Sequence, residues 1–298
     1  MTLSGVTPSG VTPSGAELLL WRRGLLEAGG RPADLDWLLD RAAGVGWPQL
    51  QALRLQTNQP VLLRCSLLEL ERLWSRHQLF HEPLQYLVGG CSWRDLELAV
   101  APGVLIPRAE TELLVELAAA CAQPGGPALW ADLGTGSGCL AVALARLWPR
   151  GEGIAVDLSA EALRQAAANL EAHGLGDRVA LVQGSWWAPL AGQAGRIHLV
   201  VANPPYIPTA VWQELEPLVR EHEPSLALDG GADGLVAIRA IAAGAARHLA
   251  PGGWLLLEHH HDQSQAVLAL LRQAGLVETS AHRDLEGRLR FAVARAVG

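Results

Sequence analysis

The sequence contains no lysine, and all 23 of its basic residues are arginine. Enzymes that form a Schiff base with a carbonyl substrate need a lysine amine, and the Walker-type loop needs a lysine beside the phosphates that it binds. The absence of this one residue type therefore excludes both kinds of chemistry for these 298 residues. Any catalysis by this chain must use other groups.

Cysteine is scarce as well. Cys65, Cys91, Cys121 and Cys139 are far apart, and no two of them form a CxxC pair. This spacing predicts neither a disulfide framework nor a zinc cluster, so no metal site is expected. Scattered thiols are typical of proteins in a reducing cytosol.

Long apolar runs are also missing. No stretch approaches the roughly 18 apolar residues that a membrane span needs. The first residues, MTLSGVTPSGVTPSG, lack the basic segment and the apolar segment of a signal peptide. We therefore expect a cytoplasmic protein without membrane contact.

Positive charge is in deficit. The chain has 30 acidic residues against 23 basic ones, a formal net charge of −7. Binding to a nucleic acid usually needs clustered positive charge, so no direct nucleic-acid binding is expected. Since 50% of the residues are hydrophobic, the chain has enough apolar surface to form a large core.

The pattern along the chain changes three times. Residues 1–15 contain a repeated SGVTP and are rich in proline and glycine, which predicts a disordered tail. Leucines at three- and four-residue spacing predict a helical domain over residues 16–88. Residues 89–109 are predicted to form a linker with a short β-hairpin, and residues 110–298 a larger domain.

In the larger domain, short β-rich runs alternate with helical stretches. The runs read ALWADLG, GIAVDLS, RVALVQGSW, IHLVVANPP and GWLLLEH. This alternation predicts an α/β fold with a doubly wound parallel sheet and helices on both of its faces. The final stretch, VETSAHRDLEGRLRFAVARA, predicts an antiparallel hairpin that closes the sheet.

The first predicted strand of this sheet runs into a glycine-rich loop. Asp132 is followed by Gly134, Gly136 and Gly138, which would let the backbone approach a ligand at a helix N-terminus. The second strand ends at Asp157, whose carboxylate can accept ribose hydroxyls. Acidic residues suit a ligand with an ammonium and a sulfonium better than a pyrophosphate, which favours S-adenosylmethionine over NAD. The alternative is a structural glycine turn beside ordinary strand-terminal aspartates.

The fourth strand ends in Asn203-Pro204-Pro205-Tyr206, and two prolines cannot continue a strand ladder. The side-chain oxygen of Asn203 and the carbonyl of Pro204 can each accept one N–H of a planar NH₂ group. Pro205 restricts the direction of that carbonyl, and Tyr206 offers a ring face for stacking. The motif therefore predicts methyl transfer to a delocalised nitrogen. A stiff loop with a surface tyrosine is the alternative.

This chemistry leaves the substrate open. Asn-Pro-Pro-Tyr after a GxGxG loop fits methyl transfer to the amino groups of adenine and cytosine as well as to glutamine amides. A third alternative is an interaction protein that binds S-adenosylmethionine without catalysis, although such a protein would not need two acceptors at the position of methyl transfer.

The sequence resembles the release factor glutamine methyltransferases along nearly all of the chain after the tail. The resemblance rests on collinear motifs, which are PLQYLVG (83–89), VLIPRAETELLV (104–115), DLGTGSGCLAVALA (132–145), VDLSAEAL (156–163), GSWWAPL (184–190), NPPYIP (203–208), EPSLALDGGADGL (223–235), LAPGGWLLLEH (249–259) and GRLRFAVAR (287–295).

The resemblance implies a helical domain that docks the substrate and a seven-stranded Rossmann-like methyltransferase domain. It implies S-adenosylmethionine-dependent methylation of the glutamine amide in the Gly-Gly-Gln motif of peptide chain release factors. The implied cofactor-binding residues are Asp132, Gly134, Thr135, Gly136, Ser137, Gly138, Asp157, Trp186 and Asn203. The implied substrate-binding residues are Asn203, Pro204, Pro205, Tyr206, Glu110 and Glu112, and the catalytic ones among them are Asn203, Pro204 and Tyr206.

Two stretches depart from the family pattern. The family usually reads PRPETE where this chain has Ala109, a change that loosens one turn but keeps Glu110 and Glu112. These glutamates either shape the entrance to the site and contact the substrate or lie in the first turn of a helix. Three histidines follow Glu258, but consecutive residues of a strand point to opposite faces, so no metal site is expected. A monomer is expected.

Overall fold

The computed structural model describes residues 12–298 and divides the chain after Gly89 into two compact units. The first unit is helical. Its core is formed by leucines on the inner faces of the helices, among them Leu18, Leu35 and Leu70. The helices are α1 (Gly15–Glu27), α2 (Pro32–Leu38), α3 (Trp47–Leu53), α4 (Leu67–Phe80) and α5 (Leu84–Val88).

The beginning of the first unit corrects the extent of the predicted tail. Residues 1–11 lie outside the described residues, but the last two residues of the predicted tail are folded. Ser14 caps α1 by accepting the backbone N–H of Glu17, whose side chain accepts the Ser14 N–H in return. The N–H of Gly15 donates to the carbonyl of Gln59 at 2.9 Å. These local bonds outweigh the polar composition that suggested disorder.

The second unit begins with a hairpin of β1 (Gly90–Trp93) and β2 (Leu96–Ala99). The sequence predicts this hairpin as part of a linker, but Trp93, Leu96 and Leu98 are buried. The hairpin therefore belongs to the compact second unit.

A seven-stranded sheet forms the centre of the second unit, in the order β5-β4-β3-β6-β7-β9-β8. Its strands are β3 (Leu129–Leu133), β4 (Glu152–Asp157), β5 (Val179–Gln183), β6 (Ile197–Ala202), β7 (Leu249–Glu258), β8 (Val277–Arg283) and β9 (Leu289–Arg295). Strands β3 to β7 pair in parallel, whereas β9 pairs antiparallel with β7 and β8. The predicted fold class, including the antiparallel closing hairpin, is confirmed.

Helices cover both faces of this sheet. The helices of the second unit are α6 (Glu112–Cys121), α7 (Cys139–Leu147), α8 (Ala160–Ala172), α9 (Thr209–Trp212), α10 (Pro217–Arg220), α11 (Val236–His248) and α12 (Ser264–Gln273). The short helices α9 and α10 have no buried residues and are not among the helices that cover the sheet. On one face, Ile238 of α11 and Val267 of α12 pack with Leu133 and other strand residues of the same parity. The alternate strand side chains point to the opposite face, where α7 contacts both α6 and α8.

The order of the strands determines where a ligand can bind. The chain runs outward from β3 to β5 and then crosses back to β6 on the other side of β3. Ligands of such sheets bind outside the carboxyl ends of the strands at this switch point. None of the helices within residues 12–298 is long and apolar enough to cross a membrane.

Candidate active site

The loop after β3 has the backbone conformation that its glycines favour. Gly134, Gly136 and Gly138 have φ values of 79°, 57° and 81°. A β-carbon at Gly138 would lie 3.0 Å from Ala166, so this glycine allows α7 to pack closely against α8. One at Gly134 would lie 3.3 Å from the ring of Trp186. The loop is therefore shaped both by backbone conformation and by close packing.

The N–H groups of this loop are already hydrogen-bonded. Gly134 and Thr135 donate to the carbonyl of Val156 at 2.8 and 3.0 Å, and Gly136 donates to the Asp157 carboxylate at 2.8 Å. Loops that bind a pyrophosphate offer such groups to the ligand. Because this loop presents a carboxylate instead, it suits a cationic or hydroxyl-bearing ligand better than a phosphate.

Asp157 ends β4 beside this loop. Its second oxygen accepts the N–H of Ser159 at 2.9 Å. Burial raises the pKa of Asp157 above its ordinary value, and the N–H groups of Ser159 and Gly136 counter that rise. Each carboxylate oxygen has a second lone pair, so the group can still accept a ligand hydroxyl.

Asp132 lies beneath the loop and is fully buried. One of its oxygens accepts the hydroxyl proton of Thr135 at 2.6 Å, whereas its Oδ1 has no hydrogen-bond partner within the described residues. Burial raises the pKa of Asp132 to about 7, against the Thr135 hydrogen bond and with the help of the Asp157 charge. A buried carboxylate with an open oxygen favours positive charge nearby.

A cavity of about 620 Å³ opens at the carboxyl edge of the sheet. Its wall includes five residues predicted from the sequence to bind the cofactor, which are Gly134, Gly136, Asp157, Trp186 and Asn203. Trp186 has a φ of 48°, which is a strained backbone for a non-glycine residue and is typical of functional sites. Four other residues predicted to bind the cofactor are absent from the wall, which are Asp132, Thr135, Ser137 and Gly138. Of the Asn-Pro-Pro-Tyr motif, Asn203 and Pro205 line the cavity, whereas Pro204 and Tyr206 do not.

Asn203 follows β6 and reaches the same cavity. Its Nδ2 donates to the hydroxyl of Thr111 at 3.0 Å, and Thr111 donates to Glu258 at 2.7 Å. Tyr206 donates its phenol proton to the other oxygen of Glu258 at 3.1 Å. Both ends of the Asn-Pro-Pro-Tyr motif are thus tied to one buried carboxylate.

This carboxylate and the phenol both titrate abnormally. Glu258 is 1% exposed, and burial raises its pKa to about 7, although Thr111 and Tyr206 donate to it and Arg290 lies nearby. Burial and the charge of Glu258 raise the pKa of Tyr206 well above its ordinary value. Tyr206 therefore stays protonated and keeps its ring anchored.

Gln263 and the loop of residues 228–234 pack against the backbone of the Asn-Pro-Pro-Tyr motif. The carbonyl of Tyr206 accepts the side-chain amide of Gln263 at 2.9 Å. A β-carbon at Gly230 would lie 2.8 Å from the Pro205 carbonyl, and one at Gly234 would lie 2.2 Å from the Tyr206 carbonyl. The glycines of the LDGGADG stretch are therefore needed for close backbone packing.

The two glutamates of the PRAETE stretch do not line the cavity. Glu112 is the first residue of α6, and its carboxylate accepts the N–H of Arg94 at 2.9 Å. Glu110 is exposed and lies near enough to Glu258 to raise the pKa of that residue. Thr111 between them reaches the site, and nothing in the sequence alone pairs it with a residue 147 positions away.

Within residues 12–298, no three His, Cys, Asp or Glu side chains are placed to hold a metal ion. The site therefore consists of a ligand cavity with acidic residues around its glycine loop and a rigid amide beside it. These residues fit a cationic nucleoside ligand better than a dinucleotide.

Comparison with known proteins agrees with this geometry. Residues 131–230 match the family model described as a methyltransferase domain. The release factor glutamine methyltransferase of Prochlorococcus marinus is 49% identical over 93% of this chain and 96% of its own length. The chain belongs to the release factor glutamine methyltransferase family. The resemblance seen in the sequence is thereby confirmed.

Other relatives extend the family assignment. The release factor glutamine methyltransferase of Thermosynechococcus vestitus is 43% identical over 92% of this chain and 96% of its own length. Among solved structures, the hMettl16 catalytic domain in complex with MAT2A 3′UTR hairpin 6 matches with a TM-score of 0.52 and 14% identity. That match covers 77% of this chain and 81% of the other, and it shows a shared fold.

Proposed function

We propose that this protein transfers the methyl group of S-adenosylmethionine to the side-chain amide nitrogen of the glutamine in the Gly-Gly-Gln motif of peptide chain release factors. The observation that carries the proposal is the orientation of Asn203. Its NH₂ group is engaged by Thr111, which leaves its Oδ1 as the end that can accept from a substrate at the cavity.

The cavity supports the choice of cofactor. Asp157 would accept the ribose hydroxyls, the loop from Gly134 to Gly138 would follow the methionine part, and Trp186 would lie by the adenine. The buried charge of Asp132 beneath the loop would favour the cationic groups. When bound, the cofactor supplies an electrophilic methyl group on a sulfonium.

The acceptor chemistry requires positioning more than basicity. The lone pair of an amide nitrogen is delocalised, so the amide is a poor nucleophile. The Oδ1 of Asn203 and the carbonyl of Pro204 would each accept one N–H of the glutamine amide, which directs the lone pair toward the cavity as the nitrogen becomes tetrahedral. The anchored ring of Tyr206 would stack on the planar amide. As the methyl group passes to the nitrogen, its bond to the sulfonium sulfur breaks and the nitrogen becomes cationic. The cationic nitrogen then loses one proton to water, so no strong base is needed at first.

We also propose that the helical unit, which ends at Gly89, docks the release factor, and that Glu110 and Glu112 act at the entrance of the site only indirectly. The protein is further proposed to work as a cytoplasmic monomer without direct nucleic-acid binding. The net charge of −7 supports the last point, since it opposes association with a polyanion. The engagement of Glu112 by Arg94 supports an indirect role for that residue.

The test uses the purified full chain with methyl-labelled S-adenosylmethionine. Three acceptors are compared, which are an intact release factor with Gly-Gly-Gln, the same factor with Gly-Gly-Asn, and a duplex oligonucleotide. We expect label only on the first, located by peptide mass spectrometry on its glutamine. Asn203→Ala should lower the transfer rate about 100- to 1,000-fold, the loss typical of one removed transition-state hydrogen-bonding group, while its melting temperature stays close to that of the wild type.

Label on the oligonucleotide alone would overturn the substrate while keeping the chemistry. Tight cofactor binding without transfer to any acceptor would favour the non-catalytic alternative.

A further inference from the structure

Two buried side chains connect the ends of the Asn-Pro-Pro-Tyr motif. Thr111 is 2% exposed and Glu258 is 1% exposed. Hydrogen bonds run from Asn203 to Thr111, from Thr111 to Glu258, and from Tyr206 to Glu258, with lengths of 3.0, 2.7 and 3.1 Å. Neither Thr111 nor Glu258 lines the cavity, so both act behind Asn203, which does.

When Glu258 is ionised, only one arrangement of donors and acceptors is possible along these hydrogen bonds. A carboxylate only accepts, so the single hydroxyl proton of Thr111 must point to Glu258. The oxygen of Thr111 is then left as an acceptor and can be satisfied by an N–H of Asn203. A reversed Asn203 amide would place its oxygen against the Thr111 oxygen with no proton between them. Its Oδ1 therefore faces away from Thr111.

We propose that Glu258 and Thr111 are positioning residues that fix the orientation of the Asn203 amide, so that its oxygen and not its nitrogen meets the substrate. The proposal rests on the function proposed above, since a substrate nitrogen that donates its N–H groups to Asn203 requires this orientation. Neither residue needs to touch the substrate or the cofactor.

Protonation of Glu258 would remove the constraint. A carboxylic acid can donate to Thr111, whose own proton is then free to go to the Asn203 oxygen, and the reversed amide would present its NH₂ to the NH₂ of the substrate. The groups that act on Glu258 are the Thr111 and Tyr206 hydroxyls and the charge of Arg290, which favour ionisation, and the charge of Glu110, which opposes it. Together with burial they leave its pKa at about 7.

The experiment measures kcat and the KM for S-adenosylmethionine from about pH 5.5 to 8.5 with saturating release factor. The variants are Glu258→Gln, Thr111→Val and the conservative Thr111→Ser. Thr279→Val is the matched control, because Thr279 lies on β8 at the far edge of the sheet, where its hydroxyl accepts the Nε–H of Arg272. We expect wild-type kcat to rise with pH through about 7.

Glu258→Gln and Thr111→Val should each lower kcat by about 10- to 100-fold, remove this pH step, and change the cofactor KM by less than about threefold. Thr111→Ser should keep both kcat and the pH step, and Thr279→Val should match the wild type. A folded Glu258→Gln protein with wild-type kcat and the same pH step would overturn the proposal. If the melting temperature shows that Glu258→Gln is not folded, the same test is applied to Thr111→Val, and wild-type kcat with the same pH step in that variant would overturn the proposal. Wild-type protein that transfers no methyl group would instead overturn the proposed function on which the orientation depends.

Discussion

Two buried carboxylates lie behind the site, one beneath the glycine loop and one behind the Asn-Pro-Pro-Tyr motif, and they differ in how completely they are satisfied by hydrogen bonds. Asp132 near the end of β3 and Glu258 at the end of β7 each accept a threonine hydroxyl, at 2.6 and 2.7 Å, and each has a pKa raised to about 7 by burial. Glu258 also accepts Tyr206 with its other oxygen, whereas the Oδ1 of Asp132 has no partner within residues 12–298.

The difference matches the two tasks of a methyltransferase. At the cofactor end, an incompletely satisfied charge beneath a glycine loop leaves attraction for a cation. At the proposed acceptor end, a fully satisfied carboxylate holds Tyr206 directly and Asn203 through Thr111, which leaves the side-chain oxygen of Asn203 to the substrate. The first region provides electrostatic attraction, and the second provides rigidity.

Among changes that leave the residues proposed to contact the ligands in place, the largest expected effect comes from disturbing the rigid end through its backbone. A β-carbon at Gly234 would lie 2.2 Å from the carbonyl of Tyr206, so Gly234→Ala must displace the motif. We expect kcat to fall by about 100-fold. Gly287→Ala is the matched control, since Gly287 has a similar φ of 81° but no atom within 4 Å of a new β-carbon. Steady-state kinetics would test this, and equal activity of both variants would show that the motif tolerates displacement.

A smaller effect is expected at the open end. Asp132→Asn removes the buried charge and keeps the size of the side chain, so the Kd for S-adenosylmethionine should rise about tenfold, the value of one modest charge interaction. The transfer rate at saturating cofactor should change by less than about threefold. Isothermal titration and single-turnover kinetics separate the two quantities. A loss of transfer rate with unchanged affinity would reverse the roles assigned to the two ends.

Both carboxylates should also make stability depend on pH. The pKa values of Asp132 and Glu258 are about 7 in the folded protein, against ordinary values of 3.8 and 4.5. At a pH between the ordinary pKa and about 7, the folded state therefore binds more protons than the unfolded state. The free energy of unfolding should therefore fall as pH rises from about 4 to about 7, by up to about 1.4 kcal/mol per pH unit for each group. Urea unfolding at several pH values tests this.

The variants sharpen this pH test. Asp132→Asn and Glu258→Gln should each flatten the dependence of unfolding free energy on pH. Saturating S-adenosylhomocysteine, which keeps the ammonium group, should reduce the contribution of Asp132 and leave that of Glu258 in place. Stability that falls toward acid pH in the wild type, with no change in either variant, would contradict the assigned pKa shifts.

The smallest effect is expected at Glu112. Its carboxylate accepts the N–H of Arg94 and does not line the cavity, so Glu112→Gln should change kcat/KM for the release factor by less than about threefold. Steady-state kinetics with intact release factor measures this. A tenfold rise in KM would instead place Glu112 on the substrate.

Much of this site could be predicted because its signals are local. Asp157 and Asn203 lie at the same edge of the sheet because the parallel strands that they follow or end all finish there. The GxGxG pattern predicts a turn whose glycines have positive φ values. The supporting residues could not be found in this way. Thr111 donates to Glu258, which is 147 positions away in the sequence. The close approach of Gly234 to the carbonyl of Tyr206 likewise arises only when the chain is folded.

One error was avoidable. Ser14 and Glu17 have the spacing of a capping box, a local signal that places the start of the first helix before residue 16. The repeat-rich composition of the preceding residues masked this signal, since composition averages over a window and a helix cap depends on single residues.

The most direct measurement is single-turnover transfer of labelled methyl to the glutamine of an intact release factor, with the cofactor Kd measured on the same protein samples. The wild type should label the glutamine, Asp132→Asn should do so at nearly the same rate once cofactor is saturating, and Asn203→Ala should bind cofactor within a few-fold of wild type but transfer about 100- to 1,000-fold more slowly. Wild-type rates from Asn203→Ala would contradict the central claim that this amide holds the acceptor nitrogen.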